Sequence, residues 1–245
     1  MSKVMAGLKN TVSVTITRPA NTTAYTAKDT INQAALTVSG ATNATPIVMT
    51  TSAVHGLVDG DVVTQASVGG NTAANGTFWV DVLTTVTYAL YSDKALVTPV
   101  AGNGAYTSGG SVQPLARIRN LVRSEGVKAY IVKARLYTNL VTFLDQVKAH
   151  LYHTPVASIA DNAAFTLLAA KEPYKEGSLD FPALATEATG SDCTEAILTP
   201  GSGNVPLAIH AAADNRDFYV MLETMGTGTP ASGQTFTLEL TVEED

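Results

Sequence analysis

An all-β fold, a jelly-roll-like antiparallel β-sandwich interrupted by an inserted small β-barrel domain, is what this sequence predicts, and four observations predict it. Apolar and polar residues alternate with a period of two in one segment after another. Charged residues make up 15% of the chain, below the roughly 25% usual in globular proteins. Thr and Val, which suit a pleated and half-buried surface, are abundant, and 19 Gly and 10 Pro supply turns. Finally, the composition shifts between Ala41 and Gln113, where Lys94 is the sole basic residue, while alternating strands lie on both sides of that stretch. The 245 residues suffice for one large β domain or two smaller ones.

The elements follow in order. Residues 1–10, with Lys3 and Lys9, read as an N-terminal arm that orders on binding a neighbour. Thr11–Thr17 sets Val12, Val14 and Ile16 against Thr and Ser, and Arg18-Pro19 ends the strand. Strands at Tyr25–Ile31 and Ala34–Val38 complete the first piece of the sandwich, residues 11–40. The inserted barrel, residues 41–113, is expected to use five strands: Pro46–Thr51, Asp61–Ala66, Thr77–Leu83, Thr87–Tyr91 and Ser111–Gln113. The sandwich resumes over residues 114–245. Val132, Ala134 and Leu136 alternate with Lys133, Arg135 and Tyr137, and Val147, Ala149 and Leu151 with Lys148, His150 and Tyr152. Phe218, Val220 and Leu222 alternate next, and Thr235–Glu243 turns Phe236, Leu238, Leu240 and Val242 inward. Leu140–Leu144 and Asn162–Leu168 read as short helices.

Charge and cysteine content narrow the function. A net charge of −6 argues against a protein that works by neutralising phosphate, so no nucleic-acid partner is expected. Arg117, Arg119, Arg123, Lys128, Lys133 and Arg135 cluster in sequence, and alternate solvent-facing strand positions explain them more simply than an acidic protein partner. Cys193 is the single cysteine and reads as a small buried residue rather than a nucleophile. No apolar run approaches the roughly 18 residues of a membrane span, and none marks a signal peptide. A soluble product made in a cytoplasm, without a membrane partner, is expected.

Chemistry-bearing patterns are weak. His150 and His153 are three apart on a strand and point to opposite faces, so they do not share a metal. His55 and His210 lack a triad pattern. Asp59-Gly60-Asp61 lacks the later carboxylates of a calcium loop, and Asp214-Asn215-Arg216-Asp217 reads as a polar loop. Gly69-Gly70, Gly109-Gly110 and Gly201-Ser202-Gly203 fit no phosphate-binding frame. No catalytic residue, cofactor or metal is assigned.

Residues 54–110 read Val54-His55-Gly56-Leu57, Gly60-Asp61-Val62-Val63, Asn75-Gly76-Thr77-Phe78, Tyr88-Ala89-Leu90 and Tyr106-Thr107-Ser108-Gly109-Gly110. This resembles a small β-barrel module that recurs in tailed-phage virion proteins, the FCCH-like domain, labelled by likeness to a β domain of ubiquitin-activating enzymes. The flanks, especially Arg135–Tyr152, Ser158–Phe165 and Leu179–Leu184, look like a family of phage head decoration, or cement, proteins. The resemblance implies a non-enzymatic bacteriophage structural protein on the outer capsid surface of the virion, made in the host bacterial cytoplasm. It further implies the major capsid protein as partner and a homotrimer. Tyr137, Tyr152, Tyr219 and Met221, together with Thr235–Glu243, are the candidate interface residues, since aromatic residues and Met are enriched in interface cores. A tail or baseplate protein that binds a host glycan, with Trp79 or Phe78 as stacking platform, is the first alternative. A carbohydrate-active jelly roll with paired carboxylates is the second.

Overall fold

A computed structural model describes residues 8–244 and divides them into two compact units. One comprises the described residues up to Asn32, together with Ala116–Pro155 and the chain from Asp161 onward; the other comprises Gln33–Leu115 and Val156–Ala160.

The first unit is an antiparallel sandwich of two five-stranded sheets. In the first sheet, β1 (Leu8–Thr17) pairs with β16 (Thr235–Glu244), β16 with β10 (Lys128–Thr138), and β10 with both β13 (Glu195–Leu198) and β14 (Leu207–His210). In the second, β12 (Lys175–Phe181), β11 (Val147–Tyr152) and β15 (Phe218–Thr224) run side by side, and β15 also pairs with β2 (Thr30–Ile31) and β9 (Ala116–Ile118). The core lies between the sheets. Ile131, Ala134, Leu136, Phe236, Leu238, Leu240 and Val242 enter it from the first sheet, and Val147, Ala149, Leu151, Phe218, Val220 and Leu222 from the second. The period-two pattern is the physical cause, because successive side chains of a strand point to opposite faces.

The second unit is a closed barrel in the order β3 (Leu36–Ala41), β4 (Val48–Thr51), β7 (Thr87–Tyr91), β6 (Gly76–Val82), β5 (Val62–Ala66), β8 (Ser111–Pro114). Six strands close it, one more than expected. The addition is β3, which the sequence reading gave to the sandwich: Val38 is buried in the barrel core with Met49, Val63, Val80, Leu90 and Val112. Alternation marks a strand but does not say which core receives it, so the module begins at Gln33 and not at Ala41. At Gly70, φ is +80° and a Cβ would stand 1.9 Å from the Ala105 carbonyl oxygen, so the backbone approach there requires glycine.

Three further differences have local causes. Leu8–Asn10, expected in the arm, open β1 opposite Val242–Glu244, and residues 1–7 of that arm lie outside the described residues. Leu140–Leu144 and Asn162–Leu168 are not helical. Asn162 has a φ of +58°, and its segment bonds back to β2 instead, through Asn162 N–H to Thr30 O and Thr30 N–H to Ala163 O. The described helical turns are 3-10 and lie at Thr72–Ala74 and Ala169–Tyr174.

Candidate functional site

Of the four residues expected to face outward, the structure buries three. Tyr152 and Tyr219 are fully buried, Met221 is 3% exposed, and only Tyr137 keeps a half-exposed position. All three do point away from the core. Tyr152 stands opposite Tyr219, His150 opposite Met221 and Lys148 opposite Glu223, but this second face is itself covered. The Phe165 ring stacks on His150 at 4.2 Å and 11°, and Tyr174 meets His153 edge-on. A face covered by its own chain offers no surface to a partner, so Tyr152, Tyr219 and Met221 are corrected from interface to packing residues.

The two histidines of that face are bonded to carboxylates, while the buried Tyr152 hydroxyl has no hydrogen-bond partner among the described residues. His150 Nε2 lies 2.7 Å from Glu223 Oε2, and His153 Nδ1 lies 2.5 Å from Glu176 Oε1. Burial lowers the His150 pKa below its usual range, assisted by Lys175 and Lys148 and opposed by the Glu223 bond. Nearby, Arg18 is fully buried against Asp161 at 3.0 Å, and Tyr25 donates to the same carboxylate at 2.6 Å. Burial and that carboxylate both push the Tyr25 phenol far upward. These groups hold loops to the sandwich.

The remaining charged and aromatic candidates are similarly occupied. Arg117 is paired with Asp217 at 2.6 Å, Arg123 donates to Lys9 O at 2.8 Å, and Arg135 is bonded to Glu195 with its guanidinium 4.6 Å above the Tyr137 ring. In the barrel, His55 Nδ1 accepts from Leu57 N–H at 3.0 Å, which leaves Nε2 to donate to Thr84 O. His55 is therefore a neutral cross-link between two loops. Asp59 accepts from Val82 N–H and Asp61 from Val58 N–H, the bonding of a turn. Phe78 packs on the barrel core, and Trp79, half-buried beside Tyr91, has its indole N–H shut away from solvent without a partner. An open groove of about 480 Å³ lies between β12 and β13. Asp180, the carboxylate that lines it, is held by Lys148 at 3.2 Å and Asn204 at 2.8 Å.

Lys128 and Lys133 of the basic cluster are exposed, and so are two groups of apolar side chains. At one end of the sandwich Leu140, Val141, Leu144 and Met225 are between 37% and 54% exposed. The loop that carries the first three is firmly held: Gln234 Nε2 donates to Leu140 O at 2.9 Å, Thr142 Oγ1 to Gln234 Oε1 at 3.0 Å, and Met225 N–H to Gln146 O at 2.9 Å. Asp145 takes the Gly228 N–H at 2.7 Å, and a Cβ on Gly226 would stand 2.1 Å from its carboxylate, so a side chain at Gly226 would displace Asp145 from this bond. At one end of the barrel Val54, Val58 and Leu83 are 67%, 40% and 52% exposed. Sequence reasoning missed both clusters. The signal for the first was present, since Leu140-Val141-Thr142-Phe143-Leu144 breaks the alternation, but it was spent on a helix.

No protein-family model matches this chain, and no curated protein matches it. Among solved structures it is similar to the 2.6 Å structure of infectious bursal virus derived T=1 particles. The identity is 9%, with 99% of this chain and 70% of that one covered, at a TM-score of 0.21. A likeness that low carries no argument.

Proposed function

We propose that this chain is a non-enzymatic structural protein of a tailed-phage virion, which binds the outer capsid surface and stabilises it. The observation that supports the reading is the contrast within the side chains themselves. The described histidines His55, His150 and His153, together with Asp59, Asp61, Asp161 and Asp180, are bonded within the fold, whereas Leu140, Val141 and Leu144 stand exposed on a firmly held loop with Met225 at the same end. A rigid apolar patch binds with little ordering cost, which suits adhesion. The proposed partner is the major capsid protein, and the proposed assembly is a homotrimer that multiplies modest contacts by making the second and third intramolecular.

The decisive experiment is a cryo-electron microscopy map of intact particles, with the chain expected on the outside of the head shell. Density at the tail or baseplate would overturn the decoration role. As a solution counterpart, Leu144→Asp should weaken binding to purified capsids by about tenfold or more. It should leave the unfolding free energy within about 0.5 kcal/mol, as expected of an exposed site. Unchanged binding would remove this patch from the interface.

A further inference from the structure

We propose that β1 is a docking edge for a second copy of this chain, joined to it strand against strand about a two-fold axis. The inference does not depend on the virion reading. It begins with the direction of the backbone groups. Beyond the strand, Arg18 N–H bonds to Gln234 O at 3.1 Å, in continuation of the register that puts Thr17 opposite Thr235. Even-numbered residues of β1 therefore exchange bonds with β16, and odd-numbered residues aim their N–H and C=O groups away from the sheet. Arg123 bonds to the outward carbonyl of Lys9, as this parity requires. Past that point Thr11, Ser13, Thr15 and Thr17 have no backbone partner among the described residues.

Apart from β9, which runs close beside it without bonding to it, the edge lacks the devices that block pairing. Natural sheet edges are kept from pairing by shortness, by Lys or Pro, or by a bulge. The other strands at the margins of this sandwich are mostly short: β2, β9, β13 and β14 have two, three, four and four residues. By contrast β1 runs for ten residues without a register shift, and no charged side chain or proline lies between Lys9 and Arg18. Thr11, Ser13, Thr15 and Thr17 are exposed, whereas Thr237 beside Thr15 on β16 is buried. Val12 and Val14, which face the core, are only partly covered.

A second copy is the occupant this edge fits, because an antiparallel strand pair about a two-fold is self-complementary. One register uses the edge fully. With Val14 opposite its own counterpart, Thr11 faces Thr17 of the second copy and Ser13 faces Thr15, so all four outward residues enter hydrogen-bonded pairs. Shifting by two residues in one direction spends Thr17 on Lys9, whose carbonyl Arg123 already holds. Shifting the other way spends Thr11 on Pro19, which has no N–H. In the favoured register Val12 faces Ile16 and Val14 faces Val14, which covers the partly exposed valines. Outside, hydroxyl side chains meet, a favourable cross-strand pairing. No like charges face each other, since Arg18 is buried on Asp161.

The size of the contact sets its strength. Seven residues span about 24 Å by little more than one strand width, far short of the roughly 800 Å² per partner of a standard stable interface. The pair is therefore weak and reversible in dilute solution, and fills where chains are held close together.

Two readouts test it. In a Cys193→Ser background, Val14→Cys places two thiols across a non-hydrogen-bonded pair, within the span of a disulfide. Oxidation with copper phenanthroline should yield covalent dimer about tenfold faster than the Thr15→Cys control, whose counterpart sits two residues out of register. Adding Thr15→Pro, which removes an outward N–H and no backbone bond to β16, only the hydroxyl contact with Thr237, should bring the Val14→Cys rate down to the control. Independently, amide exchange on the unaltered protein should slow at Thr11, Ser13, Thr15 and Thr17 as concentration rises, and this readout holds even if the proline variant fails to fold. A Val14→Cys rate no faster than the control, or exchange at these amides that is independent of concentration, overturns the pairing. Protection that arises only on addition of purified capsids would assign the edge to a capsid strand and equally overturn it.

Discussion

The two sheets of the sandwich present opposite outer faces, although both are written in the same alternating code. On the first sheet the outer residues of β1 are exposed and Tyr137 of β10 is half-exposed, while Thr235, Glu239 and Thr241 of β16 are half-buried. On the second sheet every residue of β15 is buried, and of β11 only Lys148 is not. The code specifies which side chains meet the core. It does not specify that the other side meets water. On the second sheet the chain from Asp161 onward supplies a lid, and the polar members of the alternation, His150 and Glu223, answer each other beneath it.

The sharpest way to break this contrast is a pair of truncations at outward positions. Met221→Ala should cost about 2–5 kcal/mol of stability, as for a buried large-to-small change. Tyr137→Ala should cost no more than about 1 kcal/mol, the scale of its exposed stacking under Arg135. Denaturant unfolding measures both, and equal costs would show that the two outer faces do not differ.

The same contrast explains what the sequence reveals and what it hides. Phe236, Leu238, Leu240 and Val242 are readable because their neighbours Thr235, Glu239, Thr241 and Glu243 stay partly in water. Met221 is unreadable because the cover over its cross-strand neighbour His150 comes from some fifty residues earlier, from Phe165, in a segment without periodicity. Strand β12 was missed for a related reason: Lys-Glu-Gly-Ser shows no alternation before Leu179. The buried Arg18, Tyr25 and Asp161 cluster joins residues up to 143 positions apart and has no local signature at all.

A smaller effect comes with pH. Because burial holds the folded-state pKa of His150 below its unfolded value near 6.5, its contribution is fully present above that value. It is lost as pH falls from about 6.5 through the lower folded pKa. His150→Gln, which keeps a donor for Glu223, should flatten the decline of stability below about pH 6.5, with no change in slope above it. Chemical denaturation at stepped pH would detect this, and an undiminished acid decline would move the titration elsewhere.

The smallest change is expected from the largest deletion. On β15, Ile31 faces Leu222 and Ala116 faces Val220, so the chain leaves for the barrel and returns from it about 7 Å apart along one strand. Replacing Gln33–Leu115 with a short Gly/Ser linker should leave a sandwich that unfolds cooperatively, with both its faces as before. Loss of a cooperative transition would make the barrel part of the sandwich's stability.

The pairing of Leu8 with Glu244 at one end of the β1 and β16 ladder also governs the order of events as the chain is made. In the first sheet β1 and β10 are joined by β16, which follows β2 to β15 in the chain, so the two stay unjoined until those strands have been synthesised. The strands of the barrel, all within Leu36–Pro114, can close long before. Contacts this distant in sequence form slowly, and unpaired strand edges are the surfaces that associate wrongly in the meantime. A nascent β1 thus waits longest for its partner, and the hydroxyl-rich outer row of Thr11, Ser13, Thr15 and Thr17 keeps half of that waiting strand compatible with water.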